Sequence, residues 1–380
     1  MASLDAEQVQ PLVIENGSFL FKAGFAGDDA IRAVFPPVYG QVCSSSAIPK
    51  MNEKPWRVGD EALSQASFLR LKNVIERGKV LDWFHLECIW RHTFENELRV
   101  VPEEQPVLLI ESPHTSNADR ERKTQIMFET FNIPNLYLES SAVLALTASR
   151  RTTGLVLDVG HGVTHAVPVV EGRALPHATR WMDFAGSDLN AYLRRLLTEA
   201  GYSLTAEKDN EVVRDMKEKV CSVALDLEEE IQNKKKSEFR WLSYEHADGR
   251  VFGVGIDAFV RTGEALFRPQ ILQPEAKGLH ELTYDAIMKC DADIQQKLFG
   301  NIFLCGGTSM MNGISERLQK ELALLSPSTN NIEIFAPPER KFSPWIGGSM
   351  MASSSSFKES CVSKQEYEES GPSIVHKKCL

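Results

Sequence analysis

Three features of this sequence predict an α/β protein built as two related lobes. Short apolar runs rich in branched residues alternate with longer stretches of helical periodicity. A strand, carboxylate, glycine, turn and second strand occur in that order twice, about one domain length apart. At 380 residues and 43% hydrophobic content, the chain is long enough for two average domains, each with a sizeable core.

The runs Pro11–Ile14, Pro106–Ile110, Gly154–Leu157 and Asn301–Leu304 are brief, apolar and closed by Gly, Asp or Glu, as buried strands are. Helices are expected over residues 82–98, 117–131, 138–149, 187–200, 208–236 and 313–325, several opened by Asp, Ser or Asn and closed near Gly or Pro. In the acid-base run Asp226–Lys236, Glu230 stands four residues before Lys234, the favourable orientation for a pair on a solvated helix end. Ser353–Ser356 is polar but too short for a linker.

Composition excludes several classes. A net charge of −10 disfavours non-specific binding to nucleic acid or anionic lipid, so any polyanion must sit in a local pocket. Seven scattered cysteines, without a Cys-x-x-Cys pair, form neither a disulfide framework nor a zinc site and suit a reducing compartment. The polar, acidic start lacks the order of a signal peptide, and no apolar run approaches the ~20 residues that cross a bilayer. Cytosol or nucleus is the expected location. Cys379, as penultimate residue, fails the spacing for prenylation.

The repeated phrase carries the chemistry. Leu12–Phe25 and Leu155–Pro168 share one grammar, with Glu15 and Asp158 ending the first strand of each. A glycine-bearing turn lets backbone N–H groups converge on an anion, and two such turns suit a polyphosphate. Each carboxylate then suits a magnesium ion and its waters, and Lys22 suits the phosphates as a point charge. A third glycine-rich turn, Leu304–Gly313, follows a strand and precedes a helix, as a nucleoside contact requires.

Eight segments, Lys22–Ala30, Thr124–Phe131, Arg151–Gly154, Gly162–His165, Ile287–Cys290, Ala336–Lys341, Trp345–Gly348 and Gly371–Cys379, resemble actin segments in actin order. The resemblance to the actin family runs from about Leu12 to the end of the sequence. The same superfamily holds Hsp70-type chaperones, which need a further domain, and sugar kinases. The resemblance implies a two-lobed actin-like ATPase fold of duplicated ribonuclease-H-like domains around a central cleft holding ATP or ADP with Mg²⁺ or Ca²⁺. The first lobe would comprise residues 1–148 plus 343–380, with a small insertion at about 37–73. The second would comprise 149–342, with an insertion at about 185–274. Ser18, Phe19, Leu20 and Lys22 would hold phosphates from one lobe, and Gly160, His161, Gly162 and Val163 from the other. Gly186, Lys217, Glu218, Gly306, Gly307, Met310, Met311 and Lys341 would surround ribose and adenine, and Glu15 and Asp158 would orient water around the cation.

Departures from the family concentrate at this chemistry. Glu15 replaces an aspartate and displaces the carboxylate by about 1.5 Å around a cation that demands near-ideal geometry. Phe19 replaces a glycine in the first turn. In the second turn, Val159 removes a hydroxyl and His161 replaces a carboxylate. Ser141 replaces the glutamine that orients the attacking water, while His165, also associated with that water, is retained. Losing such a group costs on the order of 10²–10⁴-fold in rate. Met311 replaces a tyrosine, and a thioether still packs on a purine.

Surfaces diverge too. Gln41–Trp56 replaces the loop that in actin inserts into the next subunit, and Pro49 and Pro55 stiffen it. Its docking groove would be lined by Thr147, Arg150, Met351, Ser354, Ser356 and Ser360. The plug-like segment Arg268–Lys277 keeps only Ile271 and Leu272 as sizeable apolar groups. His161 and His165 are too weak a pair for zinc, Asp82–Trp90 suits a core-facing helix, and no Gly-x-Ser-x-Gly elbow occurs.

The expectation is therefore an actin-like, nucleotide-binding structural protein of the cytoskeleton or a multi-protein assembly, with weak or lost hydrolysis. Its partners would be other actin-like subunits or actin-binding proteins. The alternative is a conventional ATP-hydrolysing, filament-forming actin; a small-molecule kinase has only the superfamily hairpins in its favour.

Overall fold

The structure is a computed structural model that describes residues 9–42, 55–206, 209–236, 241–327 and 331–379, with the side chains of 234–236 excepted. Most of the Gln41–Trp56 loop, Cys43 and the Lys234 side chain lie outside the described residues. The chain forms two compact units, residues 1–151 with 344–380 and residues 152–343, and is mixed α/β throughout.

The first lobe is built on a six-stranded sheet in the spatial order Val362–Ser363, Asn135–Ser140, Val107–Glu111, Leu12–Asn16, Phe21–Phe25, Ala33–Phe35. The Leu12, Val107 and Asn135 strands run parallel; the Phe21 strand returns antiparallel, and the Ala33 strand pairs antiparallel with it in turn. Both faces of the sheet are covered. Leu12, Ile14, Val107 and Leu109 enter one apolar cluster, whereas Val13, Leu108 and Ile110 enter another on the opposite face. That period of two in continuously apolar runs is the mark of a strand buried on both sides.

The second lobe repeats this plan. Its sheet runs Arg173–Ala174, Thr164–Val170, Gly154–Val159, Ile302–Cys305, Ile334–Phe335, with Arg180–Met182 also on the Thr164 strand. Again an antiparallel hairpin leads into parallel neighbours. Leu155, Leu157 and Val159 face a single large core with Phe184, Phe259, Phe299 and Leu304.

Local signals start the helices. Asp82 Oδ1 accepts from the His85 N–H at 3.1 Å and Ser116 Oγ from the Asp119 N–H at 3.1 Å. Ser363 and Glu366 form a reciprocal capping box. Trp83–His92 passes into a π-helical turn, Thr93–Leu98, and Arg99 closes it in the left-handed region.

Two expected helices are corrected. Residues 138–140 belong to the Asn135–Ser140 strand, paired with Leu109–Glu111, and the helix begins at Ser141 and ends at Ala148. The expected helix over 208–236 is two, Asp209–Val220 and Leu227–Lys236. Between them Ser222 bridges to Asn312, and the Val223 N–H donates to the Asn312 carbonyl at 2.8 Å. Glycines open the space: a Cβ at Gly263 would lie 2.2 Å from the Ser222 oxygen, and one at Gly313 2.0 Å from that of Val223. Asp226 then caps the second helix through the Glu228 and Glu229 N–H groups.

Candidate functional site

In each lobe the glycine turns stand at the carboxyl edge of the parallel strands, where open α/β sheets bind ligands. In the first lobe, register aligns Glu15, Ile110 and Glu139, so the Gly17–Leu20 turn and Ser141 leave the same edge. In the second, Asp158 is aligned with Cys305, which brings residues 160–163 and 306–310 together.

The first turn is tight because Gly17 carries no side chain; a Cβ there would sit 2.4 Å from the Leu20 oxygen. Glu15 and Lys22 are register partners, and Lys22 Nζ lies 2.6 Å from Glu15 Oε1. Both are largely buried, and Glu15 Oε2 is buried without a hydrogen-bond partner. Lys22 is thus tied to the carboxylate beside it rather than held out as an isolated charge. Ser18 Oγ accepts from the Gly78 N–H at 3.0 Å, at the tip of the Ile75–Val80 hairpin, where Arg77 has φ +47°. Phe19 and Leu20 are half-buried.

The second turn is closed by the Gly160 N–H donating to the Val163 carbonyl at 3.2 Å. The Gly160 carbonyl accepts from the Gly186 N–H at 3.1 Å and from Thr308 Oγ1 at 2.7 Å, and the His161 carbonyl accepts from the Ser187 N–H at 2.7 Å. Lys217 Nζ donates to the Gly186 carbonyl at 3.2 Å. Burial pushes the Lys217 ammonium down to about 8, with Arg214 adding to the shift and Glu218 and Cys221 opposing it. Gly306, at φ +88°, backs directly onto the carboxylate: its Cβ would lie 2.3 Å from Asp158 Oδ1. Gly307 stands beside the Lys341 side chain, and Arg340 binds the Ser309 carbonyl through Nε and a terminal nitrogen at 3.2 and 3.0 Å.

Asp158, Gly160, His161, Gly186, Lys217, Gly306, Gly307 and Lys341 therefore form one neighbourhood in the second lobe. Gly162 and Val163 are buried in the turn itself, and Met311 is buried near the end of the third turn. Met310 is 38% exposed and Glu218 faces solvent on the helix that carries Lys217. His165 is buried opposite Asp158, and Ser141 opens its helix in the first lobe. Among the described residues no cluster of three His, Cys, Asp or Glu side chains suits direct metal binding. Sequence reasoning missed Thr308, Gly78 and Arg340; only Thr308, next to the Gly-Gly pair, carried any signal.

A Cβ at Gly186 would meet Thr308 Oγ1 at 2.4 Å and Lys217 Nζ at 3.2 Å, so this cradle is built from backbone that admits no side chain. Glycine turns packed in this way beside a buried lysine are of the kind that bind phosphorylated ligands. The buried, unpartnered Glu15 Oε2 fits a hydrated cation. The family model described as Actin matches residues 6–380. Among the described residues no helix is long and apolar enough to cross a membrane.

Proposed function

The chain belongs to the actin family, and we propose that it is a nucleotide-holding structural subunit with weak or lost hydrolysis. The gathering of Gly160, Gly186, Lys217, Gly306 and Thr308 around Asp158 carries the proposal, because it packs two glycine turns and a buried lysine at the carboxyl edge of the parallel strands. Gly160, His161, Gly162 and Val163 would hold phosphates in the second lobe, and Ser18, Phe19, Leu20 and Lys22 in the first. Gly186, Lys217, Glu218, Gly306, Gly307, Met310, Met311 and Lys341 would take ribose and adenine. Bound ATP or ADP with Mg²⁺ or Ca²⁺ would supply the anionic charge these groups neutralise, the cation meeting Glu15 and Asp158 through water.

Poor turnover follows from this chain's own side chains. Ser141 ends at Oγ and is too short to orient a water that a longer amide would reach. Glu15 shares its charge with Lys22 at 2.6 Å, which weakens its hold on a cation's waters. His165, buried opposite Asp158, would be the retained group of those that the family associates with the attacking water. Such a subunit acts through assembly with other actin-like subunits or actin-binding proteins, in the cytoskeleton, cytoplasm or nucleus.

Phosphate release from the purified chain, compared with its Ser141→Gln variant, tests the proposal. The expected result is slow release by the native chain and an increase of ten-fold or more in the variant. Hydrolysis at conventional actin rates by the native chain, together with robust pelleting in Mg²⁺ and salt, would overturn it.

A further inference from the structure

We propose that Glu139 is the trigger of a latch on the Val375–Cys379 segment, closed while its carboxyl is neutral and loosened when it ionises. The latch lies wholly within the first lobe and does not depend on nucleotide.

Glu139 is 8% exposed at the end of the Asn135–Ser140 strand. Its Oε1 accepts from the Ser140 N–H at 2.8 Å, and the Tyr137 hydroxyl stands 3.5 Å from Oε2. Among the described residues neither oxygen is paired with a lysine or arginine. The adjacent strand contributes Glu111, itself buried and held by Arg120 Nε at 2.7 Å and Lys123 Nζ at 3.0 Å. Arg120 also reaches across to donate to the Cys379 carbonyl at 2.8 Å.

The segment is seated by few bonds. Besides Arg120, the Leu138 N–H stands 3.4 Å from Cys379 Sγ, and His376 Nε2 is 2.9 Å from Glu121. Lys378 Nζ donates to the Cys361 carbonyl at 2.7 Å and to Glu366. The titratable and charged groups facing Glu139 are thus Glu111 from its neighbouring strand and Arg120 from the Asn117–Gln125 helix, with Lys123 behind. Tyr137 lies on its own strand, Cys361 follows the short helix Phe357–Ser360, and Cys379, Lys378 and His376 belong to the segment itself. Burial pushes the Cys361 and Cys379 thiols up to about 12 and about 11, and Tyr137 upward as well, so these three stay protonated near neutrality.

Glu139 differs from them. Burial, helped by repulsion from Glu111, pushes its carboxyl up to about 7, against the pull of the Ser140 N–H, Arg120 and the Tyr137 hydroxyl. Once ionised, it is a buried charge without a cation of its own. Arg120 is the nearest relief. A carboxylate is the stronger acceptor, so the neutral Cys379 carbonyl is the contact that gives way. Water entering beside the freed segment completes the solvation of Glu139.

Hydrogen exchange of the 375–379 amides in the full chain, between pH 6 and pH 8, tests the latch. Each rate is divided by that of Glu139→Gln at the same pH, which removes the chemical pH dependence of exchange. The interval between the ordinary value of 4.5 and about 7 predicts that this ratio rises about ten-fold and then levels off. A His376→Gln variant, which removes the imidazole beside Glu121, should keep the rise. A ratio flat in pH, or a rise abolished by His376→Gln, would overturn the proposal. Should Glu139→Gln fold poorly, Glu139→Met serves as the neutral reference.

Discussion

Arg317 donates from both terminal nitrogens to the two carboxylate oxygens of Glu264, at 2.9 and 3.1 Å, with Glu264 fully buried and Arg317 almost so. The pair ties the Ile256–Glu264 helix to the Ile314–Leu325 helix. The same guanidinium donates to the Ala224 carbonyl at 2.8 Å and to Glu321 at 2.6 Å, and lies over the Phe267 ring. It therefore pins the segment that separates the Lys217 helix from the next and holds it against Asn312, at the end of the third glycine turn.

Removing Arg317 leaves the buried Glu264 carboxylate with a single, largely exposed cation, Arg268 at 3.1 Å. Arg317→Met is expected to destabilise the protein by about 3–5 kcal/mol, and the double variant Arg317→Met/Glu264→Leu to recover much of that loss. Urea unfolding of the three proteins checks this. A single variant within ~1 kcal/mol of native would show that water already reaches the pair.

Gly306→Ala faces two costs at once. The backbone at φ +88°, ψ 155° lies where essentially only glycine goes, a cost of about 1–3 kcal/mol for any residue with a Cβ. The new methyl would also lie 2.3 Å from Asp158 Oδ1 and 2.5 Å from the Val159 oxygen. Gly172→Ala, at φ +79° with nothing within 4 Å, bears the backbone cost alone. Both variants should melt earlier, but only Gly306→Ala should weaken binding of a fluorescent ATP analogue, by at least ten-fold. Equal affinities in the two would separate Asp158 from the ligand site.

What the sequence disclosed follows from where each signal resides. Strands buried on both faces, such as Leu12–Asn16 and Gly154–Val159, advertise themselves by uninterrupted branched residues, and the glycine turns by composition. Leu138–Ser140 reads locally as the first turn of the helix that follows, because its strand state comes from pairing with Leu109–Glu111. The break at Ser222–Asp226 depends on glycines about 40 and 90 residues downstream, Gly263 and Gly313, which no local window contains. At the site, motif position pointed to Gly186 and Lys217, but the carbonyl at Gly160 that recruits Gly186 and Thr308 is a tertiary fact. Nothing local singles out Glu139, which the expected helix over 138–149 contains, and its significance arises from burial against Glu111.

Lys217 illustrates a site held at the expense of stability. The residue is 4% exposed and its ammonium is pushed down to about 8 by burial, so at pH 7 the folded state holds a charge it solvates poorly. The sign follows from linkage: folding releases protons between about 8 and 10.5, so this lysine's penalty shrinks as pH rises through that range. Lys217→Met loses one hydrogen bond to the Gly186 carbonyl, worth about 1 kcal/mol, but removes the larger desolvation cost. The ligand-free variant should therefore be more stable than native at pH 7, by about 1–2 kcal/mol, while binding nucleotide more weakly. A variant less stable at pH 7, with the deficit widening toward pH 10, is the pattern that requires the lysine to be stabilising; the expected gain instead fades as pH rises.

Glu139 sets a second pH dependence, of opposite sign. Most carboxylates in folded proteins are stabilised as anions, and their contribution is lost on acidification. Here the folded-state value, about 7, lies above the ordinary 4.5, so the folded protein binds the extra proton and stability falls as pH rises from 4.5 to 7. Below 4.5 the side chain is protonated in both states and contributes no slope; above 7 the whole loss, about 3 kcal/mol for a shift of this size, is in place. Glu139→Gln removes the proton exchange while keeping the volume and one amide in place of the carboxyl. Other groups titrate identically in the two proteins, so the difference between their unfolding free energies isolates this site. That difference should be near zero at pH 4.5, grow through the neutral range in favour of Glu139→Gln, and stay constant from pH 7.5 to 8.5. Urea midpoints at half-unit pH intervals measure it. A difference that favours native protein at pH 8 would mean that Arg120 already neutralises Glu139 in the closed lobe.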